Sequence, residues 1–195
     1  MIKSKAKREH LLDCPKKVNI GIIIVSTSRT NEIRNNLPCT DENIPLIKEI
    51  LSRPMQLDVD TRYSISFSTI IPDDKNEITK ILKHYTESPS DIHVLLFSGG
   101  TGITKKDITI ETVVPSFDKE IPGFGELFRF LSYKEIGNST ILSRATAGVI
   151  NNIIVFLMPG SKNAVKIALE QIIAPELPHV LSEIYREIRK EQEAV

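Results

Sequence analysis

The residue types and spacing that most suggest chemistry lie in residues 98–102 (Ser-Gly-Gly-Thr-Gly), which are followed by Lys105, Lys106 and Asp107. The apolar residues 92–97 come directly before them and predict a buried strand. Because glycine has no Cβ, its N–H group can turn toward a ligand in conformations that other residues avoid. Successive N–H groups in such a turn form a concavity that binds anions. The pattern therefore predicts a phosphate site beside an acid and two lysines.

Two aspartates follow predicted strands, and each has a structural as well as a functional interpretation. Asp107 can cap the helix predicted near Thr109, and Asp73 can cap the helix predicted from Asp74. As a pair across a phosphate-sized turn, Asp73 and Asp107 are instead candidate ligands of Mg²⁺, which prefers a few carboxylates together with phosphate oxygens and water. The glycines can likewise serve only a tight turn, and the two lysines can be surface charges. No Gly-Lys-Ser/Thr closes the turn, so it is not a P-loop.

Two further segments carry groups that suit an anion. Ser143 and Arg144 are predicted on a short helix over residues 139–147 that stops at Gly148, where Arg144 forms either a surface ion pair or a contact to phosphate. The residues Pro159, Gly160 and Ser161 are typical of a helix N-terminus, with Ser161 as the cap and free N–H groups beside it. The four histidines show no metal-ligand spacing.

Strands alternate with helices along the chain. Strands are predicted over residues 19–25, 63–71, 92–97 and 153–157, and a polar loop is predicted over residues 26–30. Helices are predicted between the strands, one of them capped by Thr40, and Pro175 and Pro178 are predicted to interrupt the C-terminal helices. This alternation predicts an α/β fold with a mostly parallel, doubly wound sheet and helices on both faces. Ligands of such sheets bind outside the carboxyl ends of the strands, where these loops meet.

The totals limit the class of protein. The chain has 195 residues and a formal net charge of +0, which suits one domain over residues 18–195 after a basic tail over residues 1–17, and gives no support to nucleic-acid binding. No run approaches the roughly 20 apolar residues that span a bilayer, so no membrane segment is expected. Cys14 and Cys39 lack metal spacing, and a reduced, cytoplasmic protein is expected.

The ordered motifs resemble the MoaB/MogA family of molybdenum cofactor biosynthesis, whose relatives include gephyrin-type G domains. The resemblance covers roughly residues 18 to 182 and rests on residues 25–30, 71–74, 98–102, 107–109, 121–126, 142–148 and 159–161. It implies a three-layer α/β/α domain that forms homotrimers or hexamers. It also implies a molybdopterin adenylyltransferase, which uses Mg²⁺ and ATP to convert molybdopterin into adenylyl-molybdopterin and pyrophosphate.

The resemblance also implies roles for individual residues. Asp73 and Asp107 match the two functional acids of the family and would organise Mg²⁺ and the substrates. The implied substrate and nucleotide contacts are Ser26, Thr27, Ser98, Gly99, Gly100, Thr101, Gly102, Thr109, Gly123, Glu126, Ser143, Arg144, Pro159, Gly160 and Ser161.

The chain departs from the family pattern at one helix start, where Asp41-Glu42-Asn43-Ile44 stands in place of the usual Asp-x-Ser-Gly. Any ligand contact from that helix end is therefore in doubt. Two alternatives to an enzyme stay open: a pterin-binding or assembly protein without turnover, and a scaffold that uses the same pocket. The absence of a large appended domain in this sequence disfavours the scaffold, and the presence of both aspartates disfavours the first.

Overall fold

A sheet of mixed direction forms the centre of the computed structural model, which describes residues 14–53, 61–87 and 90–193. Its six strands among these residues are β1 (Lys17–Val25), β2 (Arg62–Ile71), β3 (Val94–Ser98), β4 (Lys119–Glu120), β5 (Thr146–Ile150) and β6 (Ile153–Met158). They lie in the order β2-β1-β3-β6-β5-β4. The β2, β1, β3 and β6 strands are parallel, whereas β5 and β4 extend the sheet in the antiparallel direction.

The order of the strands places a crevice at one edge of the sheet. The chain passes from β1 outward to β2 and then returns to the other side of β1 with β3. The loops that leave β1 and β3 therefore diverge, and this is the point where α/β sheets bind their ligands.

Helices cover both faces of the sheet. They are α1 (Thr27–Arg34), α2 (Asn43–Ser52), α3 (Lys75–Thr86), α4 (Thr109–Val113), α5 (Pro122–Ile136), α6 (Lys162–Ile167) and α7 (Ala174–Glu193). Short 3₁₀ segments occupy Val114–Ser116 and Gly137–Leu142, and a π-helical segment, Ala168–Ile173, joins α6 to α7. No helix within the described residues is long and apolar enough to cross a membrane.

The nearly continuous aliphatic sequence of β1 follows from its central position. Ile20, Ile22 and Ile24 face the core beneath α2, α5 and the C-terminal helices, and Ile23 and Val25 face the core beneath α3 and α4. On the second face, Ile78 and Leu82 of α3 lie one turn apart, as expected for an amphipathic helix. The predicted three-layer α/β/α fold is thus confirmed, and β2 lies at the edge of the sheet.

Two predicted elements are wrong. Residues 26–30 are not a loop: Ser26 caps α1, and its hydroxyl accepts from the Arg29 N–H at 3.5 Å. The helix predicted over residues 139–147 is a 3₁₀ segment followed by β5. Gly148 was predicted to end that helix. It lies in β5 instead, where the Phe117 ring leaves no room for a Cβ.

Two predicted boundaries are also wrong. Thr40 does not cap α2; Asp41 accepts from the Ile44 N–H at 2.8 Å instead. Pro175 and Pro178 do not interrupt the C-terminal helix, because Pro175 lies in the first turn of α7 and Pro178 is accommodated inside α7. The π-helical turn directly before α7 accompanies these two residues, each of which lacks an N–H to donate. The predicted tail falls largely outside the described residues, since the first 13 positions are among those not described.

Candidate functional site

A cavity of about 680 Å³ lies at the carboxyl edge of the sheet, where the segments after β1, β2, β3 and β6 meet. Predicted site residues that line it are Ser26, Thr27, Asp73, Gly99, Gly100, Thr101, Gly102, Asp107, Ser143, Arg144, Pro159 and Gly160. The chain segments that carry them are far apart in sequence, so the strand order of the sheet is what brings them together.

The glycine turn depends on glycine at two positions. Gly99 has φ +106° and Gly100 has φ +61°, both in the region that other residues rarely adopt. A Cβ on Gly99 would overlap the carbonyl oxygen of Val25, and one on Gly100 would overlap the Thr109 hydroxyl. The turn therefore lies directly against the end of β1.

Only part of this turn is available to an anion. The Gly99 N–H donates to the Met158 carbonyl at 3.0 Å, and the Gly102 N–H is engaged by the Asp107 carboxylate. Within the described part of the chain, no acceptor satisfies the N–H groups of Gly100 and Thr101. These two adjacent donors at the cavity wall form the concavity that the sequence predicted over a longer stretch.

Asp73 is not a helix cap. The cap of α3 is Asp74, whose Oδ1 accepts from the N–H groups of Asn76 at 2.9 Å and Glu77 at 3.1 Å. Asp73 turns to the cavity, where its Oδ2 accepts from the Thr27 N–H at 2.8 Å and from the Thr27 hydroxyl at 2.7 Å. Its Oδ1 faces Gly100. The structural interpretation of Asp73 is therefore wrong, and its side chain joins the end of β2 to the start of α1.

Asp107 is not a helix cap either. Helix α4 has Ile108 at its N-cap position, without a side-chain hydrogen bond. The Oδ2 of Asp107 instead accepts from the Thr104 N–H at 2.9 Å and the Thr104 hydroxyl at 2.6 Å. These bonds, the Thr104 hydroxyl first, hold the pKa of Asp107 below its usual value despite partial burial. The carboxylate is thus kept ionised beside Gly102.

The two carboxylates lie along one wall, because Asp73 is adjacent to Gly100 and Asp107 is adjacent to Gly102. Among the described residues, no group of three His, Cys, Asp or Glu side chains could hold a metal by itself. Carboxylate oxygens suit Mg²⁺, which usually completes its shell with substrate phosphate oxygens and water. The donor set therefore fits a magnesium ion that arrives with a phosphate ligand.

Arg144 forms the ion pair that was one of its two predicted contacts, but it does not lie on a helix. It lies in an extended segment before β5, and its Nε donates to the Thr101 carbonyl at 2.9 Å. Its two terminal nitrogens both contact the Glu111 carboxylate, and this pairing lowers the pKa of Glu111. Arg144 therefore fixes the glycine turn from outside and lines the cavity with much of its hydrogen-bonding capacity already used.

Five predicted site residues lie outside the cavity lining. Ser98 is buried, with its hydroxyl 3.4 Å from the Pro159 carbonyl, and buried Thr109 donates to the Gly99 carbonyl at 2.9 Å. Ser161 caps α6 through the Ala164 N–H. Gly123 and Glu126 are exposed near the start of α5. The first three brace the site, whereas the last two are not brought to it within one chain.

The sequence interpretation missed two contributors. Arg29 lines the cavity from the first turn of α1. The three-residue spacing from Ser26 to Arg29, typical of a capped helix start, was the signal that could have placed it. Asn43 is buried, and its amide donates to the Gly160 carbonyl at 2.8 Å. It thus fastens α2 to the loop after β6 at the segment where this chain departs from the family pattern.

The Thr104 hydroxyl can be tested as the cause of the low pKa of Asp107. We expect Thr104→Val to raise the carboxyl pKa toward its ordinary value, because the first cause of the lowering is removed. Carboxyl-carbon NMR titration of the variant and the wild type measures this directly. An unchanged Asp107 titration would contradict the assignment, and equal shifts of distant carboxyls would indicate a general change of structure instead.

Comparisons with known proteins agree on one family. The family model described as "Probable molybdopterin binding domain" matches residues 21–179. Molybdenum cofactor biosynthesis protein B of Bacillus cereus is 42% identical over 181 residues, covering 92% of this chain and 98% of that protein. The protein of the same name from Bacillus subtilis is 41% identical over 187 residues, covering 95% and 98%.

Solved structures give the same result. A crystal structure of a molybdenum cofactor biosynthesis protein B matches with a TM-score of 0.75 and 42% identity over 88% of this chain and 98% of that one. The tungsten cofactor synthesizing protein MoaB from Pyrococcus furiosus matches with a TM-score of 0.72 and 40% identity, covering 88% and 99%. With this fold and these relatives, the chain belongs to the MoaB family of molybdenum cofactor biosynthesis proteins.

Proposed function

We propose that this protein acts in molybdenum cofactor biosynthesis and adenylylates molybdopterin, with ATP as the second substrate and pyrophosphate as the second product. The observation that carries the proposal is the pair of aspartates at the glycine turn. Both side chains are directed to the cavity rather than to helix caps, and two unsatisfied N–H groups lie between them. The names of the family's curated members support the pathway.

The phosphates of ATP fit the wall formed by the turn. The N–H groups of Gly100 and Thr101 donate to phosphate oxygens, and Lys106 at the rim adds a positive charge. Asp73 and Asp107 would hold Mg²⁺ through their carboxylate groups. When bound, this ion supplies charge neutralisation for the phosphates. The remaining volume, toward Ser143 and Gly160, receives the pterin.

The transfer itself needs little from acid–base groups. A phosphate oxygen of molybdopterin attacks the α-phosphorus of ATP, the bond from that phosphorus to the β-bridging oxygen breaks, and pyrophosphate leaves. The nucleophile is already an anion, so the protein contributes position and electrostatic stabilisation. Asp107, kept ionised by Thr104, retains its charge when the pH falls moderately.

A turnover assay tests the proposal. Purified protein mixed with molybdopterin, MgCl₂ and ATP labelled at the α-phosphate is expected to give labelled adenylyl-molybdopterin and an equal amount of pyrophosphate. Pterin binding without product would instead support the non-catalytic binding protein. Failure to bind either substrate would contradict both.

We also propose that the protein forms a homo-oligomer, a trimer or a hexamer. Apolar side chains are exposed along α5 and in the 3₁₀ segment after it, including Phe130, Tyr133 and Ile136. A patch of this kind is typical of an interface with another chain.

A further inference from the structure

We propose that Arg29, oriented by the buried carboxylate of Asp41, binds a phosphate group of a substrate in the cavity, so that Asp41 is a positioning residue of this site. The inference rests on the proposed function, because it names a phosphate-binding group of the same cavity. It assigns a role to the segment before α2, where the chain departs from the family pattern.

Arg29 is held at the cavity by the start of α1. Ser26 caps this helix, and Thr27 is fixed to Asp73 by two hydrogen bonds, at 2.8 and 2.7 Å. Arg29 follows within the same turn and lines the cavity together with Asp73. The helix turn that carries Arg29 is therefore tied to the end of β2.

Asp41 supplies the second fixed point. Its side chain is only 4% exposed. Its Oδ2 accepts from the Ile44 N–H at 2.8 Å, while its Oδ1 has no hydrogen-bond partner among the described residues. An ionised oxygen buried in this way is costly unless a cation faces it. The Nε of Arg29 lies 3.7 Å from that oxygen and supplies the compensating charge.

This pairing orients the guanidinium. Because Asp41 is on the Nε side, the two terminal nitrogens of Arg29 are left for another acceptor, and none engages them within the described part of the chain. Arg144 differs, since its terminal nitrogens already contact Glu111. A planar guanidinium with two free nitrogens matches a phosphate group in a bidentate arrangement. Arg29 is thus better prepared than Arg144 to receive one.

The connection between α1 and α2 is also held in place. The carboxylate of Glu32, on α1, accepts from the Thr40 N–H at 2.8 Å and the Thr40 hydroxyl at 2.9 Å. Asp41 is the next residue, so the loop brings its carboxylate back to the helix that carries Arg29. The arrangement costs little further ordering when a ligand binds.

The test uses Arg29→Ala, Asp41→Asn and the double variant. Asparagine keeps an oxygen that can accept from the Ile44 N–H but removes the charge that faces Arg29. The matched controls are Glu42→Gln, which removes a neighbouring carboxylate paired with Lys162 on the surface, and Arg34→Ala, which removes another arginine of α1. Calorimetry measures the binding of magnesium pyrophosphate and, separately, of molybdopterin. Thermal unfolding checks the fold.

We expect Arg29→Ala to weaken the binding of magnesium pyrophosphate, of molybdopterin or of both by about tenfold or more, as for loss of a charge-assisted hydrogen bond. Each of these two binding measurements is one arm of the test. Asp41→Asn should weaken the same arm, and should add nothing in the Arg29→Ala background, because it acts through Arg29. The arm that responds identifies whether the phosphate belongs to the nucleotide or to the pterin. The controls should bind like the wild type.

Three outcomes would overturn the inference: unchanged affinity of Arg29→Ala in both arms, additive losses in the double variant, or no binding of either probe by the wild type. Coupled losses in a protein that gives no adenylylated product would sustain the role of Arg29 and refute the proposed reaction. Normal turnover together with normal affinity in Arg29→Ala would sustain the proposed reaction and refute the role of Arg29.

Discussion

Asp107→Ala is expected to abolish adenylyl transfer, with a loss of roughly 100-fold or more, comparable to removal of one preorganised electrostatic group from an active site. The carboxylate lies beside Gly102 at the cavity wall and is held ionised by Thr104. Its hydrogen bonds lie within one surface loop, so the free energy of unfolding should fall by only about 1 kcal/mol. Single-turnover kinetics and urea denaturation measure the two effects.

Asp118→Ala is the matched control for this variant. Asp118, like Asp107, is a carboxylate that accepts a backbone hydrogen bond, from the Asn151 N–H at 2.7 Å, but it lies by the other edge of the sheet. We expect a similar loss of stability and no loss of turnover. Retained turnover in Asp107→Ala would remove this aspartate from the mechanism.

Gly99→Ala is expected to produce the largest loss of stability of any single change at the site. The residue has φ +106°, and the new methyl group would overlap the carbonyl oxygen of Val25, which is fixed within the sheet. Backbone strain and overpacking together should lower the free energy of unfolding by about 3 kcal/mol or more. Nucleotide binding should weaken with it, because the adjacent N–H groups would move.

Gly123→Ala controls for the exchange of glycine for alanine. Gly123 lies in the first turn of α5, and no atom lies within 4 Å of the position that its Cβ would take. We expect an unchanged or slightly higher free energy of unfolding, since alanine favours a helix over glycine by up to about 1 kcal/mol. Equal stability of Gly99→Ala and wild type would show that the turn can relax away from Val25.

The sequence allowed the fold to be predicted where one pattern decided the structure. The aliphatic residues of β1, β3 and β6 are buried on both faces, and such runs between helices are typical of a parallel sheet. The antiparallel strand β5 was missed because Ala147 and Gly148, at its centre, have little strand preference. They are held there by pairing with β6 and by the Phe117 ring, contacts that no local pattern reveals.

The two main acids of the site were predictable from the sequence. The hydrogen bonds and ion pairs that hold the site in place were less so. Local sequence could not decide whether Asp73 and Asp107 cap helices, because that depends on which neighbouring side chain accepts from the free N–H groups at the start of the helix. Asp74 takes that place at α3, and Thr104 engages Asp107. Arg29 lies on α1 and Asp41 lies in the segment before α2, so their pairing became visible only in the folded structure.

Binding of Mg-ATP at the glycine turn and the two aspartates is tested most directly by a crystal structure with a non-hydrolysable ATP analogue and Mn²⁺. Mn²⁺ replaces Mg²⁺ and can be located by anomalous scattering. We expect the triphosphate to lie against Gly100 and Thr101, with a Mn²⁺ peak between the phosphates and the carboxylates of Asp73 and Asp107. A nucleotide bound elsewhere, or a metal that contacts neither aspartate, would contradict the account.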